Sequence, residues 1–209
     1  MLLKAENVSF RYTEKSPWIL NNISMEVEEG ERIAIVGPSG YGKSPLAKIL
    51  AGYEKPTSGQ ILLDGKPLPT KGFSPIQMIY QHPELAVNPR WKMEKTLHEC
   101  WHPDDELLDR MGIERSWLTR WPSELSGGEL QRFCIARILS PETKFLLCDE
   151  ITTMLDVITQ AQIWKLLLEV AESRNLGMLV ITHNMALAER VCTKIIDLPK
   201  LQQEQAAEL

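Results

Sequence analysis

The sequence predicts an α/β protein: a mostly parallel sheet flanked by helices, an antiparallel β subdomain near the N-terminus, and an inserted α-helical subdomain. Three observations predict it. Short apolar runs alternate with amphipathic stretches of helical period along most of the chain. A glycine-rich octet, residues 37–44, separates one such run from one such stretch. Between residues 82 and 124 the composition changes, with four of the six tryptophans and three of the four histidines falling there.

Taken in order, residues 2–10 alternate loosely (Leu3, Ala5, Val8, Phe10) and read as a strand. Ile23, Met25 and Val27 alternate cleanly up to the turn Glu29-Gly30, giving a second strand. Tyr12 follows the first strand, and an aromatic there could stack on a nucleotide base or simply end the strand. Arg32–Val36 is a short buried run, and residues 43–50 are a helix closed by Gly52. Pro56–Gly59 turns into a strand at Gln60–Leu63, with Asp64-Gly65 as a hairpin signal. Ile76–Tyr80 is a further buried strand ending at Gln81.

The segment beyond Gln81 predicts helices at Lys92–Trp101, Asp104–Met111 and Ser116–Arg120. Its tryptophans (Trp91, Trp101, Trp117, Trp121) are expected to pack a small helical unit or to line a docking groove. Leu125–Glu129 opens a helix to about Leu139. Strands then follow at Phe145–Cys148, Met178–Thr182 and Lys194–Leu198, with helices at Ile158–Val170 and Ala186–Val191. The polar stretch from Gln202 to Leu209 is expected to fray, and an edge strand is expected to be missing beyond residue 198.

Between the strand and the helix, Gly37-Pro38-Ser39-Gly40-Tyr41-Gly42-Lys43-Ser44 fits G-x-x-x-x-G-K-[ST]. Glycines let bare N–H groups approach phosphate oxygens, and the helix N-terminus adds its positive end. Lys43 brings a full charge to the β/γ-phosphates, and the Ser44 hydroxyl can ligate Mg²⁺. The setting makes this a P-loop NTPase core of the RecA-like kind rather than an incidental turn. Pro45 stands where threonine is usual, which leaves one phosphate donor missing.

Composition narrows the classes. At 209 residues and 44% hydrophobic, the chain suits one domain with a lobed insertion. A net charge of −5 offers no broad basic field, so no nucleic-acid partner is expected. Cys100, Cys134, Cys148 and Cys192 are scattered, as reduced thiols of a cytosolic protein would be. The first six residues do not resemble a signal peptide, and no apolar run is long enough for a bilayer, so any membrane role must come through a partner. His98-Glu99-Cys100-Trp101-His102 matches the zinc-protease pattern H-E-x-x-H, but Pro103 follows at once and no third ligand is evident, so it reads as adventitious.

The octet Leu125-Ser126-Gly127-Gly128-Glu129-Leu130-Gln131-Arg132 resembles the signature of the ABC ATPase family. The family's other motifs appear in its order, with Tyr12 like the base-stacking aromatic, Gln81 like the Q-loop glutamine, and Phe145–Glu150 like Walker B. Leu155-Asp156 is like the D-loop and His183 like the switch histidine. The resemblance spans nearly all 209 residues as one ABC ATPase domain, with 1–81 and 141–209 as core and β subdomain and 82–140 as the helical subdomain.

It implies that ATP and Mg²⁺ are bound. Lys43, Gln81, Glu150 and His183 would serve hydrolysis, with Glu150 activating water and His183 holding the γ-phosphate. Ser44, Gln81 and Asp149 would serve the metal. Tyr12, residues 37–45, Ser126, Gly127, Gly128 and Asp156 would contact nucleotide, the signature residues acting on the opposite subunit's ATP in a head-to-tail dimer. Asn88-Pro89-Arg90 resembles the oligopeptide/dipeptide/nickel importer branch, in which pairs of different ATPase subunits occur. Homodimer and heterodimer both stay open, and the longer C-terminal extension of that branch is not expected here. Implied partners are a second ABC ATPase subunit, transmembrane permease subunits and, indirectly, a solute-binding protein, at the cytoplasmic face of the cell membrane. The other reading is a soluble ABC ATPase of DNA repair or translation. It would bring paired ATPase domains, coiled-coil insertions or basic surfaces, so transport is favoured. Departures from the pattern are Pro45, Ile151 in place of a proline, and Thr152-Thr153-Met154.

Overall fold

The buried apolar runs become a five-stranded parallel sheet. β3 (Arg32–Val36), β6 (Ile76–Ile79), β7 (Phe145–Asp149), β8 (Gly177–Ile181) and β9 (Lys194–Asp197) lie in the order β6-β7-β8-β3-β9. β7 and β8 are buried at every residue, because both faces of this parallel sheet are covered. The alternating runs form the second sheet. There β1 (Leu2–Phe10), β2 (Leu20–Glu28), β4 (Ser58–Leu63) and β5 (Lys66–Pro67) run antiparallel in the order β2-β1-β4-β5. This computed structural model describes residues 1–152 and 155–207, so Thr153 and Met154, two of the expected departures, lie outside the described residues.

The helices are α1 (Lys43–Leu50), α2 (Met93–Leu97), α3 (Asp105–Arg110), α4 (Gly127–Ile138), α5 (Val157–Ser173), α6 (Met185–Val191) and α7 (Leu198–Ala207). Among the described residues, two large apolar clusters form the core. One lies between the antiparallel sheet, α1 and one face of the parallel sheet, around Leu3, Ile23, Ile35, Leu46 and Leu179. The other joins the opposite face to the inserted segment through Met93, Leu108, Trp117, Phe133, Leu167 and Val180.

The insertion is less helical than its sequence suggests. α2 ends at Leu97 rather than Trp101, and Ser116–Arg120 yields only a 3-10 turn at Arg115–Trp117. The Met93 and Glu94 amides, which have no partner within α2, bond to the Arg120 and Leu118 carbonyls and tie the two segments together. The tryptophans divide between buried and exposed positions. Trp117 is buried, and Trp101 donates its indole N–H to the Arg137 carbonyl at 2.7 Å. Trp91 lies under the Lys95 ammonium at 4.2 Å, and Trp121 is 41% exposed.

The polar C-terminal stretch, expected to fray, is helical as far as Ala207, with Glu208 and Leu209 outside the described residues. Leu198, expected to end β9, instead starts α7 with its side chain fully buried. No helix among the described residues is long and apolar enough to cross a membrane.

Candidate functional site

Register assembles the site. β6 pairs Ile79 with Cys148 of β7, and β7 pairs Asp149 with Ile181 of β8. Gln81, Glu150 and His183 each follow those paired residues by one or two positions, so they emerge side by side at the C-terminal edge of the sheet. Residues 37–42 emerge at the same edge from β3, where ligands of open parallel sheets gather.

The loop is shaped for anions. Gly42 precedes α1 in the left-handed region (φ 91°), and a Cβ there would come within 2.9 Å of Ile19 and Leu20 side-chain carbons. Only glycine fits both the angle and the wall. Lys43, 7% exposed as a residue, donates its ammonium to the Gly37 and Pro38 carbonyls at 2.8 Å each, which holds its charge within the loop. The first intrahelical bond of α1 runs from the Leu46 N–H to the Gly42 carbonyl at 2.9 Å. Pro45 therefore sits where a helix has no partner for an N–H, which is why the proline leaves α1 intact.

A cleft of about 420 Å³ opens over this loop, lined by Tyr12, Ser39, Gly40, Gly42, Lys43, Ser44, Pro45, Gln81 and Glu150. Tyr12 is 68% exposed, its ring edge-on to Phe10 at 5.1 Å and 79°. The Ser44 hydroxyl donates to Asp149 at 3.0 Å. Burial pushes the Asp149 carboxyl above its ordinary value, and the Ser44 bond partly opposes this. Two oxygen donors this close, one a desolvated carboxylate, fit a hard divalent cation such as Mg²⁺ completed by phosphate and water oxygens.

Glu150 is held from both sides. The Gln81 side-chain N–H donates to one carboxylate oxygen at 3.4 Å, and His183 Nδ1 lies 3.3 Å from the other. Its backbone is left-handed (φ 49°), with its N–H on the Ile181 carbonyl at 3.1 Å. A non-glycine residue in that region carries strain, and such strain gathers at working sites. The His183 side chain is 66% exposed.

The structure does not bring the signature residues to this cleft. Ser126 caps α4 in a reciprocal box: its hydroxyl accepts from the Glu129 N–H at 3.3 Å, while Glu129 accepts from the Ser126 N–H at 2.6 Å. Ser126, Gly127, Gly128, Leu155 and Asp156 line a separate concavity of about 530 Å³ that shares no lining residue with the first. Asp156 caps α5, accepting from the Ile158 and Thr159 N–H groups at 3.0 Å each. Hydrogen bonds from Thr159 hold its carboxyl below the ordinary range.

The H-E-x-x-H pattern loses its geometry. α2 stops before His98, so His98 and His102 do not share a helical face, and their rings stack at 4.6 Å. Among the described residues no group of three His, Cys, Asp or Glu side chains could hold a metal. Sequence reasoning missed the contribution of α7. Gln202 donates to the Tyr41 carbonyl at 3.4 Å across 161 residues, a separation at which no local pattern speaks.

A phosphate-shaped loop between β3 and α1, at the C-terminal edge of a helix-covered parallel sheet, defines the P-loop nucleoside-triphosphatase class. The ABC transporter family matches residues 20–153, more than half of the chain. The protein belongs to the ABC transporter family, as one of its ATP-binding, ATP-hydrolysing subunits. It is 36% identical over 197 residues to the nickel import ATP-binding protein NikE of Escherichia coli strain K12, across 85% of this chain and 74% of that one. Among solved structures it is similar to the ATP-binding cassette MJ0796 in a dimeric post-hydrolysis state bound to ADP and Pi, with a TM-score of 0.78, 26% identity and 93% of each chain covered. It is also similar to cbiO1 of Clostridium perfringens, part of the transporter complex cbiONQ, with a TM-score of 0.73, 28% identity, and 94% of this chain and 84% of that one covered.

Proposed function

We propose that this ATPase subunit drives solute import, with nickel ion or a short peptide as the transported class, at the cytoplasmic face of the membrane through permease subunits. The likeness to NikE and the Asn88-Pro89-Arg90 segment support that solute class. The observation that carries the working model is the division of the site. The phosphate loop and the signature helix tip line two separate concavities of one chain, an arrangement that suits sites completed by a second subunit. MJ0796, a relative, is dimeric in a post-hydrolysis state bound to ADP and Pi.

In this reading the residues divide the work. Tyr12 stacks on the base, and residues 37–45 cradle the phosphates, with Lys43 leaving its carbonyl partners to meet the β/γ oxygens. Ser44 and Asp149, with Gln81 nearby, would hold a Mg²⁺ ion, which neutralises charge across the β- and γ-phosphates. Glu150, poised between Gln81 and His183, orients the attacking water and takes its proton. His183 turns its exposed ring to the γ-phosphate. The Ser126–Gly128 tip and Asp156 face the nucleotide held by the opposite subunit, the tip through the N-terminal end of α4. Closure of the pair therefore depends on the γ-phosphate, and hydrolysis reopens it.

The test is uptake in the source organism. Deleting the gene should abolish high-affinity uptake of nickel ion or of short peptides, and a Lys43→Ala copy should not restore it. Unchanged uptake of both, with purified protein that still hydrolyses ATP, would reject the solute class.

A further inference from the structure

The C-terminal helix α7 reaches back to the phosphate loop. Leu198 anchors its first turn in the core, and the Pro199 ring lies 2.8 Å from where a Cβ on Gly37 would stand. Gln202 then makes two bonds: its side-chain oxygen accepts from the Asn21 N–H at 3.3 Å, and its side-chain N–H donates to the Tyr41 carbonyl at 3.4 Å. One turn later Gln205 clips the Ser24 backbone, accepting from its N–H at 2.9 Å and donating to its carbonyl at 2.8 Å. β2 is the edge of its sheet, so these side-chain amides satisfy groups that an edge strand leaves open. The phosphate loop is thus gripped on two sides, by Ile19 and Leu20 against Gly42 and by α7 against Gly37 and Tyr41.

We infer that α7 is a latch for the phosphate loop and that Gln202 is a positioning residue for nucleotide binding. A trans peptide points its N–H opposite its carbonyl. Holding the Tyr41 carbonyl on Gln202 therefore fixes the direction of the Gly42 N–H, whose residue lines the nucleotide cleft. Without Gln202 the Tyr41–Gly42 peptide can rotate, and ordering it falls to the nucleotide. The inference rests on the reading that residues 37–45 bind the triphosphate.

The test compares the full chain with Gln202→Met, Gln205→Ala and Lys43→Ala. Gln202→Met keeps the side chain's length but removes both bonds. It should raise the dissociation constant for Mg·ADP about threefold to fivefold, the effect of one lost hydrogen bond. It should raise KM alike, lower kcat less, and speed amide exchange at residues 40–44. Gln205→Ala loosens α7 from β2 without touching the loop, so it should lower the melting temperature and leave the dissociation constant unchanged. If Gln202→Met does not fold, Gln202→Leu takes its place. The inference is refuted if the Gln202 variant binds Mg·ADP like the parent, and the positioning role of Gln202 in particular is refuted if Gln205→Ala, which leaves the Tyr41 bond intact, weakens binding equally. If the parent itself binds no more nucleotide than Lys43→Ala, the underlying reading of the loop fails instead.

Discussion

Replacing Pro45 by threonine should tighten nucleotide binding while weakening the nucleotide-free fold. Pro45 is the third residue of α1 and lines the cleft, and the first intrahelical bond belongs to Leu46. An N–H at position 45 would therefore have no helical partner and would point with its neighbours toward the phosphates. One such donor is worth about 1 kcal/mol, or roughly fivefold in the dissociation constant. Removing proline also frees the unfolded chain, which costs about 0.4–1 kcal/mol of stability. Calorimetric titration with Mg·ADP and a thermal melt without nucleotide would read the two effects, which have opposite signs. Pro45→Ala separates the causes, since it restores the N–H without adding a hydroxyl, and it should match Pro45→Thr. Unchanged affinity in both variants would refute the reasoning. Tightening in Pro45→Thr alone would assign the gain to the hydroxyl.

Glu150→Gln should lower kcat at least about a hundredfold, the lower end of what a general base contributes, with Mg·ADP still bound; phosphate-release kinetics check this. Ser126→Arg fills the tip of α4 and should abolish ATP-driven dimerisation while monomers still bind ATP, so equal elution of mutant and parent on a sizing column would count against a shared site. Asp149→Asn should abolish Mg²⁺-dependent hydrolysis yet raise the nucleotide-free melting temperature at neutral pH, because it removes a desolvated charge but keeps an acceptor for Ser44. The folded carboxyl titrates above its unfolded value of 3.8, so the native state binds more protons in the window above that value. The parent's stability should therefore fall as pH rises from about 4 through the raised folded pKa, and Asp149→Asn should lose that slope, as melts across pH 4–7 would register.

The candidate phosphate site was legible locally because the residue pattern that suits phosphate is local. Eight consecutive residues, Gly37–Ser44, carry the loop, the charge and the helix tip, and the apolar runs on either side dictate buried strand and helix. Ser126 and Glu129 likewise announce the start of α4, since a capping box closes within four residues. The insertion was less legible. Its helices are short, and Trp101 and Trp117 find partners in other elements, so local propensity was outweighed. Only the tertiary structure decided that Gln81 and His183 flank Glu150, because strand register sets that distance. Only it showed that residues 198–207 fold back on the phosphate loop, because a polar tail becomes a helix where a buried leucine and a sheet edge receive it.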